Sequence, residues 1–230
     1  MELSKFEDKI NIKFNDKNLL KQAFLHRSYL NEHKELGLDH NERLEFLGDA
    51  VVEIAVTDFL YHKYATTPEG ELTAYRAALV NAITMSAVAS QLEMNDFMYL
   101  SKGEAKDTGR ARQIILANAF EALVGAIYID QGYEVARKFI VENLLPITDQ
   151  IVSQKLWQDA KSFFQEKAQE TTGITPNYKI LSEVGPDHNK RFTVGLFLNE
   201  DQIATGEGHS KQEAEQEAAK KGLEIKNWNF

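Results

Sequence analysis

Three carboxylates share one helical stretch. In Asn41-Glu42-Arg43-Leu44-Glu45-Phe46-Leu47-Gly48-Asp49, the acids Glu42, Glu45 and Asp49 stand at i, i+3 and i+7, which puts them on one face of an α-helix. Like charges so placed repel by about a few tenths of a kcal/mol per pair, and a divalent cation would offset that. Carboxylates without His or Cys are hard oxygen donors that suit Mg²⁺ or Mn²⁺. The same spacing also fits an acidic, solvated helix face, so the pattern alone leaves both readings open. A second polar pair, Asn118 and Glu121, stands at i and i+3 among Ala117, Ala119, Phe120, Ala122 and Leu123. Polar groups on so apolar a helix need a cleft or a polar neighbour. A surface edge or a buried Asn–Glu hydrogen bond would serve as well.

Helices must carry both sets. Leu44, Leu47, Val51, Ile54 and Ala55 recur at helical spacing within His40–Tyr64, where Gly48 is the sole internal breaker. Leu72, Leu79, Ile83, Met85 and Val88 predict a helix over 71–93, and Ile114 to Ile127 predicts one over 110–130. Loops with Pro68 and Gly70, and with Gly103 and Gly109, separate these runs. After about Thr148 the pattern changes. A helix fits 159–171, strands fit 178–184, 192–198 and 202–206, and a helix capped by Ser210 fits 210–225. The expected architecture is an all-α domain over 1–150, then an α-β-β-β-α domain over 157–227. Residues 148–156 form a linker that could be partly helical.

The chain has 230 residues, 43% hydrophobic, with no cysteine. This excludes disulfides and thiolate metal sites, and a reducing compartment is the natural expectation. The mixed-charge N-terminus does not read as a signal peptide, and no stretch approaches the ~20 apolar residues of a membrane span. The expectation is a cytoplasmic protein with no membrane partner and no organic cofactor. The net charge of −9 argues against a generally basic, polyanion-binding surface. Residues 157–230 hold 9 Lys/Arg against 12 Asp/Glu, so any nucleic-acid contact must rest on local cations and on metal. None of the six histidines forms HxxxH or HExxH, and no Ser/His/Asp arrangement is visible. His26 reads as a structural hydrogen-bonding residue, and His40 as a cap or loop residue.

At Asn41–Asp49 the chain resembles the ribonuclease III family. The resemblance extends to Ala23–Tyr29 (AFLHRSY), Glu69-Gly70, Arg76–Val80, Leu100–Glu104 (LSKGE) and Ile115–Asp130. It implies a helical nuclease domain acting as a homodimer. Such enzymes cut both strands of duplex RNA, leave 5′-phosphates and short 3′ overhangs, and process ribosomal RNA precursors and structured messages. The resemblance further implies that Glu45, Asp49 and Glu121 hold a catalytic Mg²⁺ (or Mn²⁺), with Asp49 and Glu121 catalytic. Asn118 stands where the family usually has a fourth acid. Glu42 and Glu69 would line the cleavage groove, and Phe46 would pack across the dimer interface. Asn118 can still coordinate through its carbonyl but removes one charge, which implies weaker Mg²⁺ binding. The alternative is a protein that binds duplex RNA with cleavage weakened or lost.

Residues 157–227 resemble a double-stranded RNA-binding domain through KSFFQE at 161–166, Gly185-Pro186-Asp187-His188 before Lys190-Arg191-Phe192, and Gly206 to Gln216. Such domains read A-form shape across two minor grooves. The implied contacts are Gln165 and Glu166 to ribose hydroxyls, Pro186 and His188 in the next minor groove, and the helix start at Ser210 and Lys211 on phosphates. Gln212 stands where a second basic residue is common, and Glu213, Glu215 and Glu217 make this helix acidic. Modest stand-alone affinity is therefore expected, with a dimer adding avidity.

Overall fold

The computed structural model describes residues 2–186 and 190–228. The chain divides into two compact units, 1–157 and 158–230.

The first unit is helical: α1 (Leu3–Ile10), α2 (Lys17–Ala23), α3 (Arg27–Glu32), α4 (Glu42–Lys63), α5 (Glu69–Leu79), α6 (Ala82–Gln91), α7 (Arg110–Gln131), α8 (Tyr133–Asn143) and α9 (Thr148–Ser153). Among its described residues, an isolated parallel bridge, Leu25 to Tyr99, is the sole β pairing. The expected helix over 71–93 is two helices. Asn81 accepts a hydrogen bond from the Thr84 amide (2.9 Å), capping α6, and α5 meets α6 at 46°. A capping side chain inside an apolar run ends one helix and starts the next. The stretch expected to link the domains begins with α9, whose Thr148 and Ile151 are buried.

Helix α7 forms the centre of this unit. From Ile115 to Ile127 every residue is buried except Asn118 and Glu121, which are partly exposed. By length and composition α7 could cross a bilayer, which corrects the expectation that no stretch comes close. Its apolar character serves the core instead, since Phe120, Leu123, Val124 and Ile127 are enclosed by residues of the surrounding helices. Burying each such side chain contributes about 1.5–3 kcal/mol.

The second unit runs α10 (Ala160–Thr172), β1 (Asn177–Val184), β2 (Arg191–Leu198), β3 (Asp201–Gly208) and α11 (Lys211–Lys226). The strands form an antiparallel sheet in the order β1-β2-β3. The alternation read from the sequence puts Val194, Leu196 and Leu198 inside, and Leu196 and Leu198 share a core with Phe164, Ala218 and Leu223. Strand β3 presses on α11 through Gly206, where an added Cβ would lie 2.1 Å from the Ala218 nitrogen.

Candidate active site

The acid-bearing helices touch through their main chains. An added Cβ on Gly48 would lie 1.8 Å from the Glu121 carbonyl oxygen, and one on Gly125 would lie 2.2 Å from the Leu44 carbonyl oxygen. Both distances are far inside van der Waals contact, so only glycine at each position lets α4 and α7 approach this closely. The sequence offered Gly48 as a helix breaker; its place is at this crossing. The approach sets the Glu45–Asp49 turn of α4 beside the Asn118–Glu121 turn of α7.

The electrostatics show the result. Glu121 is pushed up to about 8, first by burial and then by the charges of Asp49 and Glu45. Glu45 is also raised, by burial and by the charge of Glu42, while a hydrogen bond from the Asn118 carboxamide pulls it the other way. The Asn118 carboxamide thus favours the Glu45 carboxylate, whereas an aspartate would add another negative charge. Among the described residues no three His, Asp or Glu side chains are drawn into a formed coordination set. Mutual repulsion keeps such groups apart unless a proton or a cation stands between them. The donor set itself is all oxygen, partly desolvated and anionic, and so fits a hard divalent ion.

Asn41 carries a role the sequence did not reveal. It is 2% exposed, its amide donates to the Leu25 carbonyl (2.9 Å), and its side chain donates to the Ala23 carbonyl (3.2 Å). Its own carbonyl accepts from the Glu45 amide. The first turn of α4 is therefore anchored to the segment leading into α3. An Asn just before ERLEF was the available signal. His26 is structural, as expected. It caps α3, its Nδ1 lies 2.7 Å from the Ser28 hydroxyl, and burial holds its pKa down. His40 accepts from the Glu42 amide at 3.4 Å, as a loop residue can.

The remaining predicted residues fall in different places. Glu42 is exposed beside Glu45 and 3.5 Å from Arg27. Glu69 does not join the acidic group within one chain. It starts α5, accepts from the Thr73 hydroxyl (3.0 Å) and lines a pocket with Thr57, Leu60, Tyr61, Leu72 and Arg76. Thr57 lies about 12 Å along α4 from Asp49. Phe46 is 82% exposed, on an open ridge of α4 that also carries Ile54 and Tyr61.

In the second unit, Gln165 and Glu166 are exposed and line a shallow groove with Ser162, Gln169 and Glu170. Ser210 caps α11 by accepting from the Glu213 amide (3.1 Å), while the Glu213 carboxylate accepts from the His209 amide (2.9 Å). This reciprocal capping explains the acid at this helix start. The Lys211 ammonium stands 5.9 Å over the Phe192 ring. Pro186 is exposed, and His188 lies outside the described residues.

A family model described as ribonuclease-III-like matches residues 16–148, and one for the double-stranded RNA binding motif matches 160–226. Ribonuclease 3 of Pelotomaculum thermopropionicum is 43% identical over 96% of this chain and 92% of its own length. That of Oceanobacillus iheyensis is 43% identical over 99% of both. The chain belongs to the ribonuclease III family. The nuclease domain of the family member from Campylobacter jejuni, solved in work on structural flexibility in its dimer-forming region, has a TM-score of 0.58. It is 37% identical and covers 63% of this chain and 97% of that one. A helical family domain followed by a double-stranded RNA-binding fold is what the sequence led us to expect.

Proposed function

We propose that this chain is an endoribonuclease that hydrolyses phosphodiester bonds in double-stranded RNA, leaving 5′-phosphates and short 3′ overhangs. One observation carries the reading: the glycine-mediated contact of α4 and α7 buries Glu121 beside Asp49 and Glu45, and burial first, then their two charges, push its carboxyl up to about 8. Groups that perturb one another so strongly in a cleft are candidates for chemistry.

Glu45, Asp49, Glu121 and the Asn118 carbonyl would hold Mg²⁺ or Mn²⁺, with Asp49 and Glu121 catalytic. When bound, the ion supplies an acidified water and neutralises charge developing on the phosphodiester. Without metal, burial and then the charges of Asp49 and Glu45 raise the Glu121 carboxyl to about 8, so an arriving cation would take the place of its proton. Asn118 favours the carboxylate form of Glu45, partly offsetting the burial and the Glu42 charge that raise it. Glu42 lies at the edge of the groove. In the second unit Gln165, Glu166, Pro186, His188, Ser210 and Lys211 would grip the duplex.

The active form in this reading is a homodimer. Phe46 needs a cover, and the pocket of Leu60, Tyr61 and Leu72 beside Glu69 offers one on a second copy. Phe46 of one protomer seated there would bring Glu69 of its partner toward the Glu42–Asp49 turn. We assign 1–150 to the dimerising nuclease domain and 157–227 to the RNA-binding domain. The cytoplasm is the place of action, and ribosomal RNA precursors and structured messages are the substrates. The test is incubation with a long RNA duplex in Mg²⁺, Mn²⁺ or chelator. Cutting that requires metal and is lost in Glu121→Gln supports the reading. Tight duplex binding without cutting in either metal would favour the RNA-binding alternative raised by Asn118.

A further inference from the structure

A cleft built from Glu42, Glu45, Asp49 and Glu121 repels the polyanion it has to admit. Even with a divalent cation held there, the phosphates flanking the scissile one would face carboxylates. A cation stands on the rim. Arg27 is the first residue of α3, its side chain is 66% exposed, and its Nη1 lies 3.5 Å from Glu42 Oε1. This is the outer limit of a hydrogen bond, between two open groups whose pairing contributes little. The bond to Glu42 is therefore easily exchanged for another acceptor.

The backbone under Arg27 is fixed. The His26 amide donates to the Tyr99 carbonyl (3.2 Å), and the Ser101 amide donates to the Ser28 hydroxyl (3.1 Å). The Asn41 amide donates to the Leu25 carbonyl, tying this segment to the start of α4. The charged neighbourhood is mixed: Glu42, Glu104 and His40 all act on the adjoining His26, as does Arg27 itself. The planar guanidinium fork matches two phosphate oxygens, which a lysine ammonium does not.

We propose that Arg27 binds a backbone phosphate of the duplex beside the scissile bond, releasing Glu42 to do so, and thereby admits RNA to the acidic cleft. This rests on the nuclease reading above. The test uses the full chain as wild type, Arg27→Ala, Arg27→Lys, and Arg27→Ala combined with Glu42→Gln. Binding to an RNA duplex is measured in Ca²⁺ across a range of KCl, and steady-state cleavage in Mg²⁺. Loss of one phosphate contact should reduce the slope of log affinity against log salt by about one. KM should rise about tenfold with kcat within about twofold, and lysine should restore the slope but only part of KM. An unchanged slope in Arg27→Ala overturns the proposal. So does recovery of wild-type KM on adding Glu42→Gln, because Arg27 would then merely neutralise Glu42. A wild type that binds but does not cut defeats the nuclease reading instead, and the salt slope still judges Arg27.

Discussion

Replacing Glu121 by glutamine should make the metal-free protein more stable, and only above acidic pH. The folded chain raises this carboxyl from the ordinary 4.5 to about 8. A raised acid binds its proton more tightly folded than unfolded, so the folded state is favoured below pH 4.5 and loses that advantage as the pH climbs through 8. Each pH unit across that interval corresponds to about 1.4 kcal/mol, which bounds the full loss near about 5 kcal/mol. Glu121 is partly open to water, and solvent screening reduces this to about 2 kcal/mol. Glutamine keeps the shape and never ionises. Glu121→Gln should therefore match wild type at pH 4.5 and exceed it by about 2 kcal/mol at pH 8.5. The assay is calorimetric or urea unfolding of the full chain with chelator present, following the transition of the first unit. A stability difference that does not grow between pH 4.5 and 8.5 would refute the claim that Asp49, Glu45 and burial act on this group.

The same proton must leave when metal arrives, so Mn²⁺ affinity read by paramagnetic resonance should rise about tenfold per pH unit from pH 6 to 8 and then level. Asn118→Asp adds a negative charge and removes the donor to Glu45; the Mg²⁺ concentration for half-maximal cleavage should fall about tenfold, and no change would remove Asn118 from the ion's surroundings. Gly48→Ala drives a methyl into the Glu121 carbonyl and should cost about 3 kcal/mol in thermal unfolding, along with cleavage. Phe46→Ala should leave circular dichroism unchanged and weaken self-association by about 2 kcal/mol, roughly 30-fold, in sedimentation.

The spacing of Glu42, Glu45 and Asp49 was legible because a helix repeats regularly, and Asn118 and Glu121 stood out as polar residues on an apolar run. Their juxtaposition was not legible from spacing, since it depends on a crossing made by Gly48 and Gly125 that no local pattern encodes. Asn81 hid a helix boundary because Leu79, Val80, Ala82 and Ile83 around it keep an apolar rhythm. Glu69 sits apart from the other acids because α5 packs against the far half of α4. In the second unit, β2 was readable from strict alternation. The register shift between Ile180 and Ser182 in β1 was not, as it arises from pairing with β2.

The crossing at Gly48 and Gly125 also governs when the protein can first act. Half of the proposed ion-binding set belongs to a helix that begins at Arg110, long after the signature residues have been synthesised. A nascent or truncated polypeptide ending before that helix carries acids with nothing opposite them. Until the later segment docks the proposed ion site is only half built, so completion of the α4–α7 crossing sets when it can form.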